Sequence, residues 1–203
     1  MANCITYPLT LTGQTVNLVA LNEDHFPLLK DLATNKKIWE FYTFDGSDPN
    51  TYSKILSNAT VEREKGNQFP FVIFNKEENK IIGSTSFLDI QPQHKKLEIG
   101  FTWLHPDYWG TAINLECKLL LLTYCFESLH TLRVQLKTDE NNIRSRKAIE
   151  KIGGQFEGIF RNDMLRENNT RRNSAYYSII EEEWQEKKVK LTNLFEDKRN
   201  AGA

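Results

Sequence analysis

Residues 97–114 read LEIGFTWLHPDYWGTAIN, and this stretch decides the fold because a strand pattern runs directly into a loop of small residues. The strand part, Leu97 to Leu104, is rich in aromatic and β-branched residues. The loop opens a run from Asn114 to Ser128 that is apolar almost all the way round, which is typical of a buried helix. Such a junction leaves backbone N–H groups unpaired at the positive end of a helix dipole and predicts an anion site. The alternative is a tight turn in which Asn114 is an ordinary N-cap residue.

The sequence before residue 97 predicts two helices and three strands. The first helical pattern begins at Asp24, and the second begins at Asp48, which precedes a first-turn Pro49. The predicted strands are Thr15 to Ala20, Phe69 to Phe74 and Ile81 to Ile90. Short polar connections join the last two of these strands to the strand that begins at Leu97, so the three together predict an antiparallel meander.

The sequence after the buried helix alternates between strand and helix patterns. A strand is predicted from Thr131 to Lys137, and a helix from Asn142 to Ile152 that ends at Gly153 and Gly154. Two further strands follow, from Gln155 to Arg161 and from Ser174 to Ile180. This order predicts an α/β fold, an α+β sandwich in which helices flank a mixed, largely antiparallel central sheet of about six to seven strands.

Composition limits the classes of protein that the chain can represent. No repeat or linker divides it, so we interpret residues 1–203 as a single domain with a charged extension at 185–203. With 26 basic and 27 acidic residues, it has no charge excess that would favour a nucleic acid partner. Three cysteines cannot all pair, and the longest apolar run, Leu119 to Leu122, is too short to cross a bilayer. We therefore expect a cytoplasmic protein with no membrane partner.

A second motif makes a family resemblance specific. Asn142-x-x-Ser145 begins the helix that ends in Lys151-Ile152-Gly153, and the strand after it contains Glu157-Gly158. With the preceding strand, small-residue loop and buried helix, the chain resembles the GNAT superfamily of N-acetyltransferases and implies a GNAT-like acyl-CoA N-acyltransferase fold. Its Asn-x-x-Ser, and the pair Tyr108-Trp109 before Gly110, are similar to the branch that contains the ribosomal-protein N-terminal acetyltransferases. The resemblance is best over residues 81–184.

The resemblance implies a site for acetyl-coenzyme A as co-substrate. The backbone of Trp103 and Leu104 would hold the pantetheine arm where the strands separate, and donors there would polarise the thioester carbonyl as an oxyanion hole does. Asn142 would bond the pantetheine chain, and Trp109 stands at the first position of the family's loop motif. The pyrophosphate would lie on the residues that follow, which are Gly110, Thr111, Ala112, Ile113, Asn114 and Leu115.

Four positions depart from the family pattern, three of them in the loop motif. The loop motif is Gln/Arg-x-x-Gly-x-Gly/Ala, and this chain has Trp109, Ala112 and Asn114 at its defined positions. Ala112 adds a Cβ where backbone must approach phosphate, and a residue other than glycine restricts positive φ. Many relatives also carry a Tyr that protonates the leaving thiolate, where this chain has Ile149. That role would fall to Ser145, to a water or to no group.

Glu98 is the leading candidate for the group that accepts the proton of the amine, since it is a carboxylate on an inner strand just before the cofactor segment. Alternation puts Glu98, Gly100 and Thr102 on one face, where two small residues leave room for an acceptor. The alternative is a surface carboxylate that faces Lys95 or Lys96. Ser145 would lie near the sulfur, and its alternative is a part in the capping of the helix.

The main functional interpretation is an enzyme that transfers acetyl from acetyl-coenzyme A to a primary amine, a protein N-terminus or a small molecule, by direct attack in a ternary complex. The alternative is a coenzyme A-binding relative with weak or no catalysis, which Ala112 and Ile149 favour. The four histidines lack metal-ligand spacing, so no metal is expected. Candidates for the acceptor groove, or for plain core packing, are Trp39, Tyr42, Phe44, Tyr176 and Tyr177. The oligomeric state is left open.

Overall fold

The computed structural model describes residues 5–201, in which eight strands form one sheet and five α-helices pack against it. The strands are β1 (Thr10–Thr12), β2 (Val16–Ala20), β3 (Phe69–Asn75), β4 (Lys80–Gln91), β5 (Lys96–Leu104), β6 (Arg133–Asp139), β7 (Gln155–Leu165) and β8 (Arg171–Ile180). The helices are α1 (Phe26–Ala33), α2 (Pro49–Glu64), α3 (Ile113–Thr123), α4 (Ile143–Lys151) and α5 (Glu181–Asn200).

The strand order is β1-β2-β3-β4-β5-β6-β8-β7, and every neighbouring pair is antiparallel except β5 and β6. The predicted α/β fold with a mixed, largely antiparallel sheet is therefore confirmed. Within residues 5–201 the sheet has eight strands, one more than the upper predicted number. The additional strand is β1, whose three residues are too few to carry a recognisable alternation.

The two faces of the sheet support separate apolar clusters. One face packs against α3, α4 and α5, with buried residues such as Phe71, Leu121 and Trp184, and we call it the α3–α4 side. The other packs against α1 and α2, with Leu29, Leu56 and Trp103 among its buried residues, and we call it the α1–α2 side. Alternation along each strand sends neighbouring side chains to opposite sides of the sheet.

The segment predicted as a charged extension is helical up to Asn200. It forms most of α5, whose Leu191 and Phe195 are buried in the cluster on the α3–α4 side. The ring of Trp184 stacks on Phe126, with ring centroids 5.2 Å apart. Phe126 belongs to a π-helical turn, Tyr124–Ser128, that continues α3. The apolar positions of the charged segment therefore complete the core beside α3.

The fold opens along β5. This strand pairs with β6 only from Lys96 to Glu98, whereas its pairing with β4 continues to Leu104. A register shift in the β4 pairing falls between Gly100 and Trp103, and Phe101 there has a φ of 46°. A bulge of this kind inserts an extra residue and bends the strand. The result is a wedge-shaped gap between the second half of β5 and β6.

The bulge also changes which face of the sheet some β5 residues occupy, so part of the predicted alternation is wrong. Glu98 and Gly100 share the α1–α2 side, since a Cβ built on Gly100 would lie 3.0 Å from Glu98 Oε1. Thr102, predicted on the same face, lies on the α3–α4 side, where its hydroxyl contacts Lys118 of α3. Phe101, which strict alternation would put on the face of the buried Leu97 and Ile99, is 41% exposed. One inserted residue reverses the alternation beyond it, which a strict period of two cannot predict.

Candidate active site

A cleft occupies the gap between β5 and β6. Its walls come from both strands, from the loop before α3, from the first turns of α4 and from the segment before α2. Among the predicted site residues, those that line it are Glu98, Trp103, Leu104, Trp109, Gly110, Asn114, Asn142 and Ser145. The structure thus brings together residues from the two motifs, which lie some 45 positions apart in the sequence. They meet because β6 and α4 return the chain to the same edge of the sheet.

The N-terminus of α3 lies at one end of the cleft and has no side-chain cap. Ala112 is its N-cap residue, so the alternative in which Asn114 caps the helix is wrong. The backbone N–H groups of Ala112, Asn114 and Leu115 donate no hydrogen bond to another of residues 5–201. Thr111 contributes its hydroxyl, which accepts from the N–H of Ile113 at 3.3 Å. Unpaired donors at the positive end of a helix suit a phosphate group.

The concern about positive φ at Ala112 is resolved by the loop geometry. Ala112 has a φ of −70° and a ψ of −17°, which any residue adopts without strain. The positive φ falls on Gly110, at 76°, where a built Cβ would meet nothing within 4 Å. The loop therefore uses its glycine for the turn, and the alanine at residue 112 demands no unusual backbone.

The pantetheine segment differs in detail from the prediction. The carbonyl of Leu104 accepts a hydrogen bond from the indole Nε1 of Trp109 at 3.0 Å, so that oxygen has a partner within the protein. Trp103 is buried on the α1–α2 side, and its backbone is paired with Ser84 of β4. The separation of the strands begins after Glu98, earlier than the predicted Trp103. The edge of β5 that faces the gap therefore runs from Gly100 onward.

Trp109 also connects the two helix N-termini that border the cleft. The guanidinium carbon of Arg144, in the first turn of α4, lies 3.6 Å from the centroid of its ring. A cation over an indole face is attracted by the ring quadrupole. This contact spans the mouth of the cleft between the α3 loop and α4, and it explains why a tryptophan suits the first position of the loop.

Asn142 and Ser145 occupy the start of α4. Asn142 is the N-cap residue, and its Oδ1 accepts from the backbone N–H of Ser145 at 3.0 Å. The Nδ2 of Asn142 and the hydroxyl of Ser145 have no hydrogen-bond partner among the residues that the structure describes. The capping bond thus uses the backbone of Ser145, and both polar side-chain groups remain available to a ligand in the cleft.

Glu98 is 3% exposed and lies where β5 and β6 part, so the alternative of a surface carboxylate is wrong. Its partners are on β6, not at Lys95 or Lys96. Gln135 Nε2 donates to Glu98 Oε2 at 2.9 Å, and Lys137 Nζ lies 3.2 Å from the same oxygen. These contacts fix the carboxylate at the boundary and give it a countercharge. Glu98 Oε1 has no hydrogen-bond partner within residues 5–201.

Sequence reasoning missed two lysines that line the cleft, Lys118 and Lys137. Arg172, which the sequence offered either as a contact for coenzyme A phosphates or as a residue of a solvated turn, also lines it. Lys118 lies on α3, where we described the run as apolar almost all round, and the signal was a lysine inside that run. Arg172 is buried on β8, near Asp139, and burial lowers its pKa. Of the aromatic candidates, Tyr42 lines the cleft and donates its hydroxyl to the carbonyl of Thr102 at 3.1 Å. Trp39 packs in the α1–α2 core.

Among residues 5–201, no group of three His, Cys, Asp or Glu side chains is arranged to hold a metal ion. In that same part of the chain, no helix has the length and apolar character needed to cross a membrane. The described cysteines, Cys117 and Cys125, are buried and free, and burial raises the pKa of Cys117 to about 12.

A sheet that opens between parallel strands, beside a helix N-terminus without a side-chain cap, defines an α/β protein whose opening suits a phosphate-bearing ligand. The family can also be stated. The description "Acetyltransferase (GNAT) domain" matches residues 15–155, more than half of the chain. The chain therefore belongs to the GNAT acetyltransferase family, and the predicted resemblance is confirmed.

Individual relatives agree with this assignment. The chain is 30% identical over 129 residues to the uncharacterized N-acetyltransferase YnaD of Bacillus subtilis (strain 168), a match that covers 63% of this chain and 74% of YnaD. It is 26% identical over 154 residues to the ribosomal-protein-serine acetyltransferase of Escherichia coli (strain K12), covering 73% and 84%. The solved structure of Mycobacterium smegmatis RimJ in complex with CoA-disulfide shares the fold, with a TM-score of 0.78 at 19% identity, covering 93% of this chain and 95% of RimJ.

Proposed function

We propose that this protein, as a single domain of residues 1–203, transfers an acetyl group from acetyl-coenzyme A to a primary amine by direct attack in a ternary complex. The observation that carries this proposal is the opening of β5 from β6, with the unpaired N–H groups of α3 at one end and Glu98 at the branch. Membership of the GNAT family gives the reaction class. The cleft would supply a place for each reactant.

The residues at the cleft fit coenzyme A. The N–H groups of Ala112, Asn114 and Leu115 suit the pyrophosphate, and the open space at Gly110 lets it approach the backbone. Asn142 would donate its Nδ2 to the pantetheine chain, whose amides alternate donors and acceptors. The bound thioester would supply the activated acyl group. Trp109 and Arg144 would close the mouth beside it.

Glu98 would accept the proton that the amine must lose. Its Oε1 is left without a protein partner, while Oε2 is held by Gln135 and Lys137. A carboxylate that is fixed and already paired can receive a proton directly or through one water. As the bond between the amine nitrogen and the acyl carbon forms, the bond between that carbon and sulfur breaks. The amine proton then moves to Glu98.

Ser145 would assist the leaving sulfur. Its hydroxyl is free of the helix cap, because the capping bond comes from its backbone N–H. Ile149, where many relatives have a tyrosine, lines the same wall of the cleft and has no proton to give. The hydroxyl of Ser145 would therefore donate to the thiolate and be reprotonated by solvent.

The acceptor class that we favour is a protein N-terminus. The relative from Escherichia coli is named a ribosomal-protein-serine acetyltransferase, which motivates this choice. On the α1–α2 side the cleft is lined by Phe101, which is 41% exposed, and by Tyr42, and the ring of Phe44 packs edge to face with both. An aromatic rim of this kind, with the ring of Phe101 exposed, suits an extended peptide.

The test is mass spectrometry of acceptors incubated with the protein and isotope-labelled acetyl-coenzyme A. We expect label on the α-amine of peptides with small first residues, and less on polyamines and aminoglycosides. Label on small amines alone would replace the peptide acceptor. If calorimetry detects coenzyme A binding but no acceptor gains label, the alternative of a coenzyme A-binding relative with weak or no catalysis would stand.

A further inference from the structure

One cationic side chain of the cleft, that of Lys118, has no role in the proposed reaction. Lys118 of α3 is 6% exposed and is one of the residues that line the cleft. Its recorded partner is neutral: Nζ donates to Thr102 Oγ1 at 2.6 Å. Within residues 5–201 it forms no ion pair with a carboxylate. A buried ammonium without a countercharge is costly, so proteins rarely keep one unless it meets a ligand.

The hydroxyl groups around Lys118 cannot supply that negative charge. A lysine ammonium only donates, so Thr102 accepts from it and directs its own proton toward Thr85 Oγ1, 2.7 Å away. Thr85 is fully buried on β4. Thr102 and Thr85 are therefore neutral partners, and the ammonium of Lys118 keeps two N–H donors that have no acceptor within residues 5–201. Such a group recognises an anion.

The position of the cluster indicates which reactant would bring the anion. Thr102 and Lys118 lie on the α3–α4 side, which also carries the uncapped N-terminus of α3. The proposed base, Glu98, and the aromatic rim lie on the α1–α2 side. The bulge at Phe101 creates this division, because it turns Thr102 away from Glu98. The cluster thus borders the coenzyme A side of the cleft and not the acceptor side.

We propose that Lys118, positioned by Thr102, is a specificity-determining residue that receives a carboxylate at the far end of the donor's acyl chain. The acyl donors of this protein then include dicarboxylic acyl-coenzyme A thioesters, in addition to acetyl-coenzyme A. This inference rests on the proposed function, since it needs coenzyme A in the cleft. Burial, which lowers the pKa of Lys118 to about 8, leaves the amine mostly protonated near pH 7.

The ligand chemistry is testable without an acceptor. The probes are unreactive coenzyme A thioethers whose S-alkyl chains, two to four carbons long, end in a carboxylate or in the matched carboxamide. Calorimetry would compare each pair with free coenzyme A. We expect the best carboxylate probe to bind at least about tenfold more tightly than its carboxamide, as a hydrogen bond to a charged group predicts.

Lys118→Met removes the charge and keeps the length of the side chain. It should abolish the preference for carboxylate and leave the affinity for free coenzyme A within about twofold. Lys137→Met is the matched control, because Lys137 also lines the cleft but is paired with Glu98. That variant should retain the preference.

Three other results would overturn this inference, either alone or together with the proposed function. If the parent binds free coenzyme A but shows no carboxylate preference at any chain length, Lys118 does not read the acyl chain and the inference fails alone. If Lys118→Met weakens free coenzyme A as much as the carboxylate probe, Lys118 contacts phosphate or pantetheine instead. If free coenzyme A does not bind to the parent, the proposed function fails together with this inference.

Discussion

The two sides of the cleft treat their polar groups differently. On the α1–α2 side the charges are paired. Glu98 lies 3.2 Å from Lys137, and Asp139, further along β6, forms an ion pair with Arg166. Each buried carboxylate there has a cationic neighbour, as buried charges require. The countercharges of these two carboxylates are therefore in place before any ligand binds.

On the α3–α4 side several hydrogen-bond donors lack a charged partner or any acceptor within residues 5–201. The N–H groups of Ala112, Asn114 and Leu115 lack acceptors among residues 5–201, and the ammonium of Lys118 has only the hydroxyl of Thr102. All of these groups donate, so each can be satisfied by an anionic or carbonyl-rich ligand. The difference teaches that the α3–α4 side offers unpaired donors to a ligand, whereas the α1–α2 side holds a buried carboxylate in a fixed position. Variants on one side should therefore change one quantity and spare the other.

The largest effect is expected from Glu98→Gln on the α1–α2 side. Glutamine keeps the size of the side chain and removes its ability to take a proton. General-base help is worth on the order of 10²–10⁴-fold, so kcat/KM near neutral pH should fall by about that factor. The deficit should shrink at high pH, because more of the amine is then deprotonated before it binds. Steady-state kinetics across the pH range would measure it.

The control for Glu98→Gln is coenzyme A affinity, which should stay the same because Glu98 lies on the opposite side from the α3 donors. An unchanged pH–rate profile would move the search for the base to another carboxylate, such as Asp89 or Glu157. Glu157 is bonded to Arg133 and Ser178 on the β7–β8 part of the sheet, and Asp89 lies on β4 beyond the register shift.

Ala112→Glu is the corresponding variant on the α3–α4 side. A carboxylate at the N-cap of α3 would face the pyrophosphate. Two like charges about 4 Å apart repel by about 4 kcal/mol at an effective dielectric constant near 20, so we expect the dissociation constant of coenzyme A to rise roughly 10²–10³-fold. Ala112→Gln has the same length without the charge, and Ala112→Gly should bind equally well because φ is already ordinary. Calorimetry that finds the Glu variant equal to the parent would locate the pyrophosphate elsewhere.

The parts of the fold that the sequence predicted are those with strong periodic patterns. Seven strands and the order of the helices follow from aromatic and β-branched runs, from the Asp48–Pro49 start of α2 and from Gly153, whose φ is 96°. The short β1 was missed because three residues carry no period. Residues 185–200 were described as a charged extension from their composition, although apolar residues such as Leu191 and Phe195, which α5 buries, could support a last helix.

Only those parts of the site that local sequence motifs define could be predicted. The cradle at residues 110–115 and the pair Asn142 and Ser145 follow from local sequence, and both line one cleft. Side-chain orientation beyond Gly100 did not follow, because one bulged residue reverses which face each later residue occupies. Lys118 was overlooked for a related reason. Its importance depends on its contact with Thr102 of β5, which faces α3 only because the bulge reverses the alternation.

Lys118→Met should reveal the cost of the unpaired cation. In the folded protein burial lowers the pKa of Lys118 to about 8, from an ordinary value of 10.5. Below pH 8 the ammonium is buried at a cost, so the variant should be more stable than the parent by on the order of 1–3 kcal/mol near pH 7.

The sign of the pH dependence is fixed by proton binding. Between pH 8 and 10.5 the unfolded chain binds the lysine proton and the folded protein does not, so the destabilising contribution of Lys118 to the parent shrinks as pH rises and the gap between parent and variant closes. Thr102 and Thr85 do not titrate. Burial raises the pKa of Cys117 from 9.0 to about 12, which lowers stability above about pH 9 in parent and variant alike, so the gap between them still reports Lys118. Urea unfolding at pH 7 and pH 9.5 would measure the gap, and a parent more stable than the variant at pH 7 would contradict the prediction.

The smallest effect is expected from Ser145→Ala. Alanine keeps the backbone N–H that donates to Asn142 Oδ1, so the cap of α4 and the stability of the protein should hardly change. What is lost is the hydroxyl, the proposed proton donor to the sulfur. A thiolate leaves more easily than most oxygen leaving groups because its pKa is near 8.5, so kcat should fall only about tenfold while KM for acetyl-coenzyme A stays nearly constant. Ser145→Thr, which retains a hydroxyl, should restore part of kcat. If pre-steady-state measurements show that chemistry limits the rate and kcat is still unchanged in the alanine variant, Ser145 contributes only its backbone to the cap, and both helix N-termini at the cleft act through main-chain groups alone.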